Sequence, residues 1–203
     1  MYSEIRRVPL IIRLPGESKG NHVTSLVEAP DLMPTMLEIA GLVTTEVVGG
    51  QTQTQTMQCG VFYDEEWKFD PASIHGKSLM PLMRGETNKL RDIAVSSNTL
   101  IYHTPLLAKS SIVTEDGWCL HYAGKYDKPD KRAKMGALNV IDPEGSHLST
   151  APELYYLPSD PCETRNVIDE NVGLASEIHA RYVHWLEENN TPPEHLAGRR
   201  LLR

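Results

Sequence analysis

Cysteine, long apolar runs and positive charge are all scarce in this chain of 203 residues. Its cysteines, Cys59, Cys119 and Cys162, are widely spaced and include no Cys-x-x-Cys pair, which excludes a disulfide framework and a zinc knuckle. Lysine and arginine number 20 against 27 acidic residues, and the net charge of −7 argues against binding to nucleic acid or anionic membranes. No apolar run approaches the roughly 18–20 residues of a membrane span, and the N-terminus carries no signal-peptide pattern.

Common catalytic motifs are missing as well. The eight histidines include no His-Glu-x-x-His pair, and a Gly-x-Ser-x-Gly elbow is absent. Residues 76–78, Gly-Lys-Ser, end like a phosphate loop but lack its first glycine. Cys162 has no base nearby in sequence and is interpreted as part of a proline-flanked turn, while His103 and His121 are interpreted as surface residues. Composition and spacing therefore indicate a globular α/β chain without a visible catalytic centre.

The first half of the sequence predicts a strand, a helix and a long insertion. The aliphatic run 8–14 predicts a strand buried on both faces. Residues 31–40 predict a helix that Asp31 caps and that packs on the core through one apolar face. Residues 44–73 contain a Gln-Thr repeat and predict a mobile insertion. The apolar helix face consists of Leu32, Met36, Leu37, Ile39 and Ala40.

The second half predicts a small antiparallel sheet covered by a helix. Strands are expected at 92–97, 110–114, 117–122 and 153–157, with a hairpin turn between the second and third. A helix is expected at 171–188, and the tail beyond it is predicted to be loose. The boundary between the α/β edge and this α+β subdomain is placed near residue 90. The apolar stripe of the helix consists of Val172, Ala175, Ile178, Tyr182 and Trp185.

Four segments, in this order and at this spacing, resemble the C-terminal part of the sulfatases, members of the alkaline-phosphatase superfamily. They are residues 1–16 (MYSEIRRVPLIIRLPG), 31–41 (DLMPTMLEIAG), 76–85 (GKSLMPLMRG) and 153–167 (ELYYLPSDPCETRNV). They are similar to the family patterns (M/L)Y-E-E-(S/P)-x-R-V-P-L-I-I-R-x-P-G, D-L-x-P-T-L-L-D-L-A-G, G-x-S-L-x-P-L-L-x-G and E-L-Y-D-L-x-x-D-P-x-E-x-x-N-L. The likeness covers nearly the whole chain.

This resemblance implies the C-terminal portion of a sulfatase fold, of class α/β with a small α+β subdomain. Residues 1–90 would form the edge of the α/β core, with the insertion 44–73, and residues 91–203 the α+β subdomain. The implied function is that of the C-terminal region of a sulfuric ester hydrolase, which completes the fold but does not catalyse alone. The alternatives are part of a phosphate or phosphonate ester hydrolase, or a free-standing noncatalytic binding or assembly module.

The family's reactive groups have no match here. Its formylglycine nucleophile arises in Cys/Ser-x-Pro-x-Arg, whereas Cys162 is followed by Thr164 and Asn166 at the proline and arginine positions. The family's catalytic lysine precedes the segment that Met1 begins. No catalytic or metal-binding residue is therefore assigned, and Ca²⁺ and formylglycine are implied only for the full-length family member.

The resemblance also implies partners and a substrate surface. The partners would be the N-terminal catalytic part and, through the complete enzyme, a sulfate ester. The apolar strand predicted at 8–14 further predicts self-association. Full-length relatives are often exported or lysosomal, and the compartment of this chain stays open. Because insertions in this part of the family often border the substrate cleft, substrate contacts are expected from Asp64, Glu65, Glu66, Trp67 and His75.

Overall fold

The computed structural model describes residues 6–16, 18–48, 51–56, 75–97, 109–124 and 151–202. The chain divides into two compact units. The smaller unit is Ile11–Asp92, and the larger unit combines Met1–Leu10 with Ile93–Arg203. Among the helices of the described ranges, none has both the length and the apolar character needed to cross a membrane.

The smaller unit begins with a 3₁₀ turn, Ala29–Asp31, which leads into helix α1, Leu32–Ile39. Gly41 ends this helix with a φ of 72°, a left-handed conformation that glycine adopts without strain. Strands β1, Val43–Val48, and β2, Gln51–Thr56, then pair as an antiparallel hairpin, and helix α2 spans Met80–Met83. The apolar core of this unit comprises Leu79, Leu82 and Leu90, with Ile12 and Met83 packed against it.

Two predictions for the first half of the chain are wrong. Residues 8–14 form neither helix nor strand, and Val8 and Ile11 are 78% and 92% exposed. A two-sided apolar strand needs neighbours that pair with it, and no strand within the described ranges does so. The stretch 44–56, predicted to be a mobile insertion, instead contributes to the β1–β2 hairpin. Threonines that alternate along residues 51–56 suit a strand, because β-branched side chains pack well on a pleated surface. The rest of the predicted insertion, residues 57–73, lies outside the described residues.

Helix α1 is present as predicted, but it turns a polar face inward. Pro34, Thr35 and Glu38 are buried. The predicted core-packing face is instead largely exposed, with Met36 at 58% and Ile39 at 49%. The reason is that the buried side is held by hydrogen bonds, since Thr35 Oγ1 accepts from the backbone N–H of Leu79 at 2.9 Å.

The larger unit contains the predicted antiparallel sheet and its covering helix. Strands β3, Ile93–Ser97, β4, Lys109–Thr114, β5, Trp118–Ala123, and β6, Glu153–Tyr156, lie side by side in that order. Helix α3, Val172–Glu188, packs on this sheet, which confirms the predicted α+β arrangement. The core joins both layers and includes Ile112, Leu120, Leu154, Ala175, Ile178 and Tyr182.

The tail after α3 is docked, and the prediction of a loose tail is wrong. Residues Pro193–Ala197 form helix α4. Beyond it, the carbonyl of Leu201 accepts a hydrogen bond from the Tyr122 hydroxyl at 2.9 Å. The carbonyl of Arg199 lies 2.8 Å from His179 Nε2. These polar contacts carry no apolar periodicity, so the sequence pattern did not reveal them.

Candidate functional site

A buried polar cluster lies in the larger unit, where strand β5 meets the loop after β6. Cys119 Sγ is 3.8 Å from His121 Nε2, and His121 Nε2 is 3.2 Å from Glu163 Oε1. Arg6 reaches the same atoms: its guanidinium donates to Cys119 Sγ at 3.1 Å and to Glu163 Oε1 at 3.0 Å. We call these four residues the Cys-His-Glu-Arg cluster.

The sheet positions two members of this cluster. Cys119 and His121 are two residues apart in β5, so both side chains leave the same face of the sheet. Ser111 lies opposite His121 in the β4–β5 register, and its hydroxyl is 2.8 Å from His121 Nδ1. This contact fixes the ring orientation and leaves Nε2 directed at Cys119 and Glu163.

A tight loop positions the third member. Glu163 has a φ of 55°, a left-handed conformation that costs free energy in a residue with a side chain. The loop is held by Asp160, whose carboxylate accepts hydrogen bonds from the backbone N–H groups of Thr164 and Arg165 at 2.9 Å. These bonds lower the pKa of Asp160. The result is that the Glu163 carboxylate lies buried beside the sheet.

Burial sets the protonation states in the cluster. Desolvation raises the pKa of the Cys119 thiol to about 12, with Arg6 acting against that rise. Desolvation likewise lowers the pKa of His121 to about 4, although Glu163 opposes the shift. At neutral pH the cluster therefore holds a neutral thiol, a neutral imidazole and an ion pair between Arg6 and Glu163.

A second polar surface lies in the smaller unit. An open groove of about 840 Å³ is lined by α1, β1 and the segment after α2. Arg84 Nη1 donates to Glu38 Oε1 at 2.9 Å and lies 3.8 Å from Glu86 Oε1. The other oxygen of Glu38, Oε2, is buried and makes no hydrogen bond among the described residues. Thr44, Thr45 and Glu46 complete the polar lining.

The predicted substrate-contacting residues fall mostly outside what the structure describes. Asp64, Glu65, Glu66 and Trp67 lie outside the described residues, and His75 is exposed. Their substrate contacts stay a prediction. The sequence did not predict the Cys-His-Glu-Arg cluster, and the interpretation of His121 as a surface residue is wrong, since it is 1% exposed. The Cys-x-His alternation within a predicted hairpin strand was the available signal.

Comparison with known proteins finds a similarity to a curated sulfatase. No family model matches the chain. Arylsulfatase K of Xenopus laevis is 30% identical over 167 residues, which cover 82% of this chain and 23% of that protein. The chain aligns with a C-terminal part of a sulfatase. It spans about a quarter of the length of this curated relative.

One solved structure superposes on part of this chain with a TM-score of 0.37. Its title describes the metabolism of multiple glycosaminoglycans by Bacteroides thetaiotaomicron. It is 18% identical, and the overlap covers 63% of this chain and 22% of that chain.

In the smaller unit, hydrogen bonds join the sulfatase-like segments 31–41 and 76–85 to each other. The Asp31 carboxylate is fully buried and accepts hydrogen bonds from the backbone N–H of Lys77, at 2.8 Å, and from both terminal nitrogens of Arg91. It also accepts from the N–H of Glu28 at 2.7 Å. The predicted role of Asp31 as the cap of α1 is therefore wrong, because its side chain makes no hydrogen bond to that helix.

Proposed function

We propose that this chain is the C-terminal region of a sulfuric ester hydrolase and that the complete enzyme acts on aryl sulfates. The observation that carries the proposal is the 30% identity with arylsulfatase K over 82% of the chain. In this proposal the chain completes the fold and borders the substrate cleft, while the reacting groups belong to the remainder of the enzyme.

The chemistry of the described residues supports this division of labour. Cleavage of a sulfate ester needs a nucleophile, a divalent cation and cationic groups around the developing charge. Calcium prefers six to eight oxygen ligands, whereas the cluster that brings potential metal ligands together offers one sulfur, one nitrogen and one carboxylate. The described residues therefore do not fit Ca²⁺. Cys119 is a buried neutral thiol outside the family's Cys/Ser-x-Pro-x-Arg sequence, so it does not fit the formylglycine precursor.

We propose that the groove of the smaller unit borders the substrate cleft of the complete enzyme. Its carboxylates, Glu38, Glu46 and Glu86, disfavour a sulfate group because like charges repel. They can accept hydrogen bonds from hydroxyl groups on the alcohol or phenol part of an ester. His75 and the residues predicted with it would add to this contact.

The proposal is tested by complementation. The purified chain, mixed with a chromogenic aryl sulfate and Ca²⁺, should show no turnover. Co-expression with arylsulfatase K truncated before its matching region should restore turnover above that of either part alone. Turnover by the isolated chain that disappears on mutation of one of its own residues would overturn the assignment of the reacting groups.

The gene provides an independent check. If the chain belongs to a sulfatase, the reading frame upstream of the codon for Met1 should encode a Cys/Ser-x-Pro-x-Arg segment. A promoter and ribosome-binding site there, with no such frame, would favour a free-standing noncatalytic module.

A further inference from the structure

We propose that Cys119, His121 and Glu163 form a binding site for a thiophilic divalent cation, Zn²⁺ above all, and that Arg6 takes the place of the cation when no metal is bound. The sulfatase proposal does not enter this argument, since the site lies in the larger unit and uses none of the groups expected to cleave the ester.

The ligand spacing fits tetrahedral zinc. Zinc bonds of about 2.3 Å to sulfur and about 2.0–2.1 Å to nitrogen or oxygen, at tetrahedral angles, separate neighbouring ligand atoms by about 3.3–3.6 Å. In the cluster, Cys119 Sγ and His121 Nε2 are 3.8 Å apart, and His121 Nε2 and Glu163 Oε1 are 3.2 Å apart. All three ligand atoms lie within 4.8 Å of one another. The two distances to His121 Nε2 are within a few tenths of an ångström of the tetrahedral values, and the Cys119–Glu163 pair would close from at most 4.8 Å to complete three corners of a tetrahedron.

The surroundings of the ligands are those of an organised metal site. Ser111 Oγ bonds His121 Nδ1 at 2.8 Å, and in metal sites such outer contacts commonly orient the ring and set the tautomer in which Nε2 binds the metal. The left-handed backbone of Glu163 and the loop bonds to Asp160 aim the carboxylate inward. Strained backbone of this kind is concentrated at functional sites.

Charge balance explains why Arg6 and a metal can exchange. With Arg6 bound, the positive guanidinium and the negative carboxylate cancel, beside a neutral thiol and a neutral imidazole. With Zn²⁺ bound, Cys119 loses its proton to solvent, and the thiolate and the carboxylate together cancel the two positive charges. Both states are neutral, as a buried cluster requires. Arg6 is also more exposed than its two ion-pairing neighbours in the cluster, at 9% against 0% for Glu163 and 1% for His121, so the metal would reach the ligands from its side.

The donor set selects the cation. Thiolate and imidazole favour zinc, copper and similar ions, whereas Ca²⁺ and Mg²⁺ prefer oxygen ligands. The site should therefore bind Zn²⁺ and Co²⁺ in the presence of excess Ca²⁺.

The test measures binding of Zn²⁺ and Co²⁺ to the full chain. One Zn²⁺ per chain should remain after passage over a desalting column, and Co²⁺ should give a thiolate-to-metal charge-transfer band. Cys119→Ser should abolish the band and weaken binding by at least about 100-fold, and Ser111→Ala should weaken it about 10- to 100-fold. The matched control is Cys162→Ser, which removes an exposed cysteine and should leave both readings unchanged.

Arg6→Gln tests whether Arg6 and the metal compete for the same ligands. If they do, removing the guanidinium should raise the zinc affinity about tenfold. Folding of each variant is checked by circular dichroism, and Glu163→Gln offers a near-isosteric second ligand variant. Absence of a charge-transfer band in the unmodified chain would overturn the metal site, as would equal loss of binding in Cys119→Ser and Cys162→Ser. Unchanged affinity in Arg6→Gln would overturn the exchange. Neither reading depends on sulfatase activity, so failure here leaves the proposed function untouched.

Discussion

Gly76 lies where no side chain can be accommodated. A Cβ atom built on it would lie 2.1 Å from the carbonyl oxygen of Pro30 and 2.8 Å from the backbone nitrogen of Asp31. Both obstacles are backbone atoms, which cannot swing away as the end of a flexible side chain can. The close approach brings the N–H of Lys77 within 2.8 Å of the Asp31 carboxylate, so one small residue supports the buried hydrogen-bond network of the smaller unit.

The first prediction follows from this contact. Gly76→Ala should destabilise the chain by about 1–3 kcal/mol, the usual cost of forcing extra atoms into a packed site. Gly20→Ala is the matched control, since a Cβ there meets nothing within 4 Å and the residue has no positive φ. Urea titration followed by circular dichroism compares the two. Equal urea midpoints for both variants would mean that the backbone around Gly76 shifts to accommodate a Cβ atom at little cost in stability.

At the scale of elements, helix α1 presents an apolar stripe to solvent. Leu32, Met36 and Ile39 recur at helical spacing and are 36%, 58% and 49% exposed, with Met33 beside them at 56%. Contiguous exposed apolar side chains favour association because contact with another surface removes them from water. In the isolated chain this stripe, rather than the strand predicted at 8–14, is the reason to expect self-association.

The second prediction concerns this stripe. The isolated chain should form dimers or larger species at high micromolar concentration, and Met36→Glu should shift it toward monomer without loss of helix content. Val172→Glu, at an exposed apolar position in the larger unit, is the control and should not change the distribution. Sedimentation velocity distinguishes the cases. A clean monomer for the unmodified chain contradicts the prediction.

The third prediction concerns the docked tail. Removing residues 198–203 deletes the Leu201 carbonyl that Tyr122 binds and the Arg199 carbonyl beside His179, together with Leu202, which packs on the core. The two lost hydrogen bonds contribute about 1 kcal/mol each, and loss of the buried apolar surface of Leu202 adds to this cost. The free energy of unfolding should therefore fall by about 2–4 kcal/mol.

Tyr122→Phe isolates one part of the tail contact, because it removes the hydroxyl alone. It should cost about 0.5–1.5 kcal/mol. Chemical denaturation of both variants gives the comparison. A truncated chain with the stability of the full chain would show that the tail contacts are energetically neutral.

Local patterning accounts for what the sequence could predict of these elements. The strands of the larger unit and helix α3 follow alternating or helical apolar periodicity, and Gly117, with a φ of 92°, marks the hairpin turn. Helix α1 was located correctly, but its orientation was wrong because the deciding contacts are polar and distant in sequence. Thr35 accepts a hydrogen bond from the backbone of Leu79, and Asp31 accepts one from Arg91, which is 60 residues away from it in sequence. The Cys-His-Glu-Arg cluster joins residues up to 157 positions apart, and no periodicity encodes that.

At the scale of the whole molecule, histidine burial couples the larger unit to pH. His179 is buried between the docked tail and the sheet, with the rings of Tyr122 and Tyr182 at 4.6 and 6.5 Å and the Arg199 carbonyl at 2.8 Å. Desolvation lowers its pKa, although the hydrogen bond to Arg199 opposes the shift. The folded chain therefore keeps His179 neutral at a pH where the unfolded chain, with a histidine pKa of about 6.5, already takes up a proton.

The stability of the chain should therefore fall in acid, which is the fourth prediction. Below about pH 6.5 the unfolded state binds more protons, so the free energy of unfolding falls as the pH drops from 6.5 to the lowered pKa of His179. The slope from one such histidine reaches about 1.4 kcal/mol per pH unit. His179→Gln, whose amide can still donate to the Arg199 carbonyl, should make the decline shallower, while the contribution of His121, whose pKa is lowered to about 4, should remain. His184→Gln, on the exposed side of the same helix, should retain it. The check is the denaturant midpoint of each variant, measured from pH 7.5 to 4.5. If His179→Gln and the unmodified chain lose stability in parallel, the burial of His179 does not control the acid sensitivity of this unit.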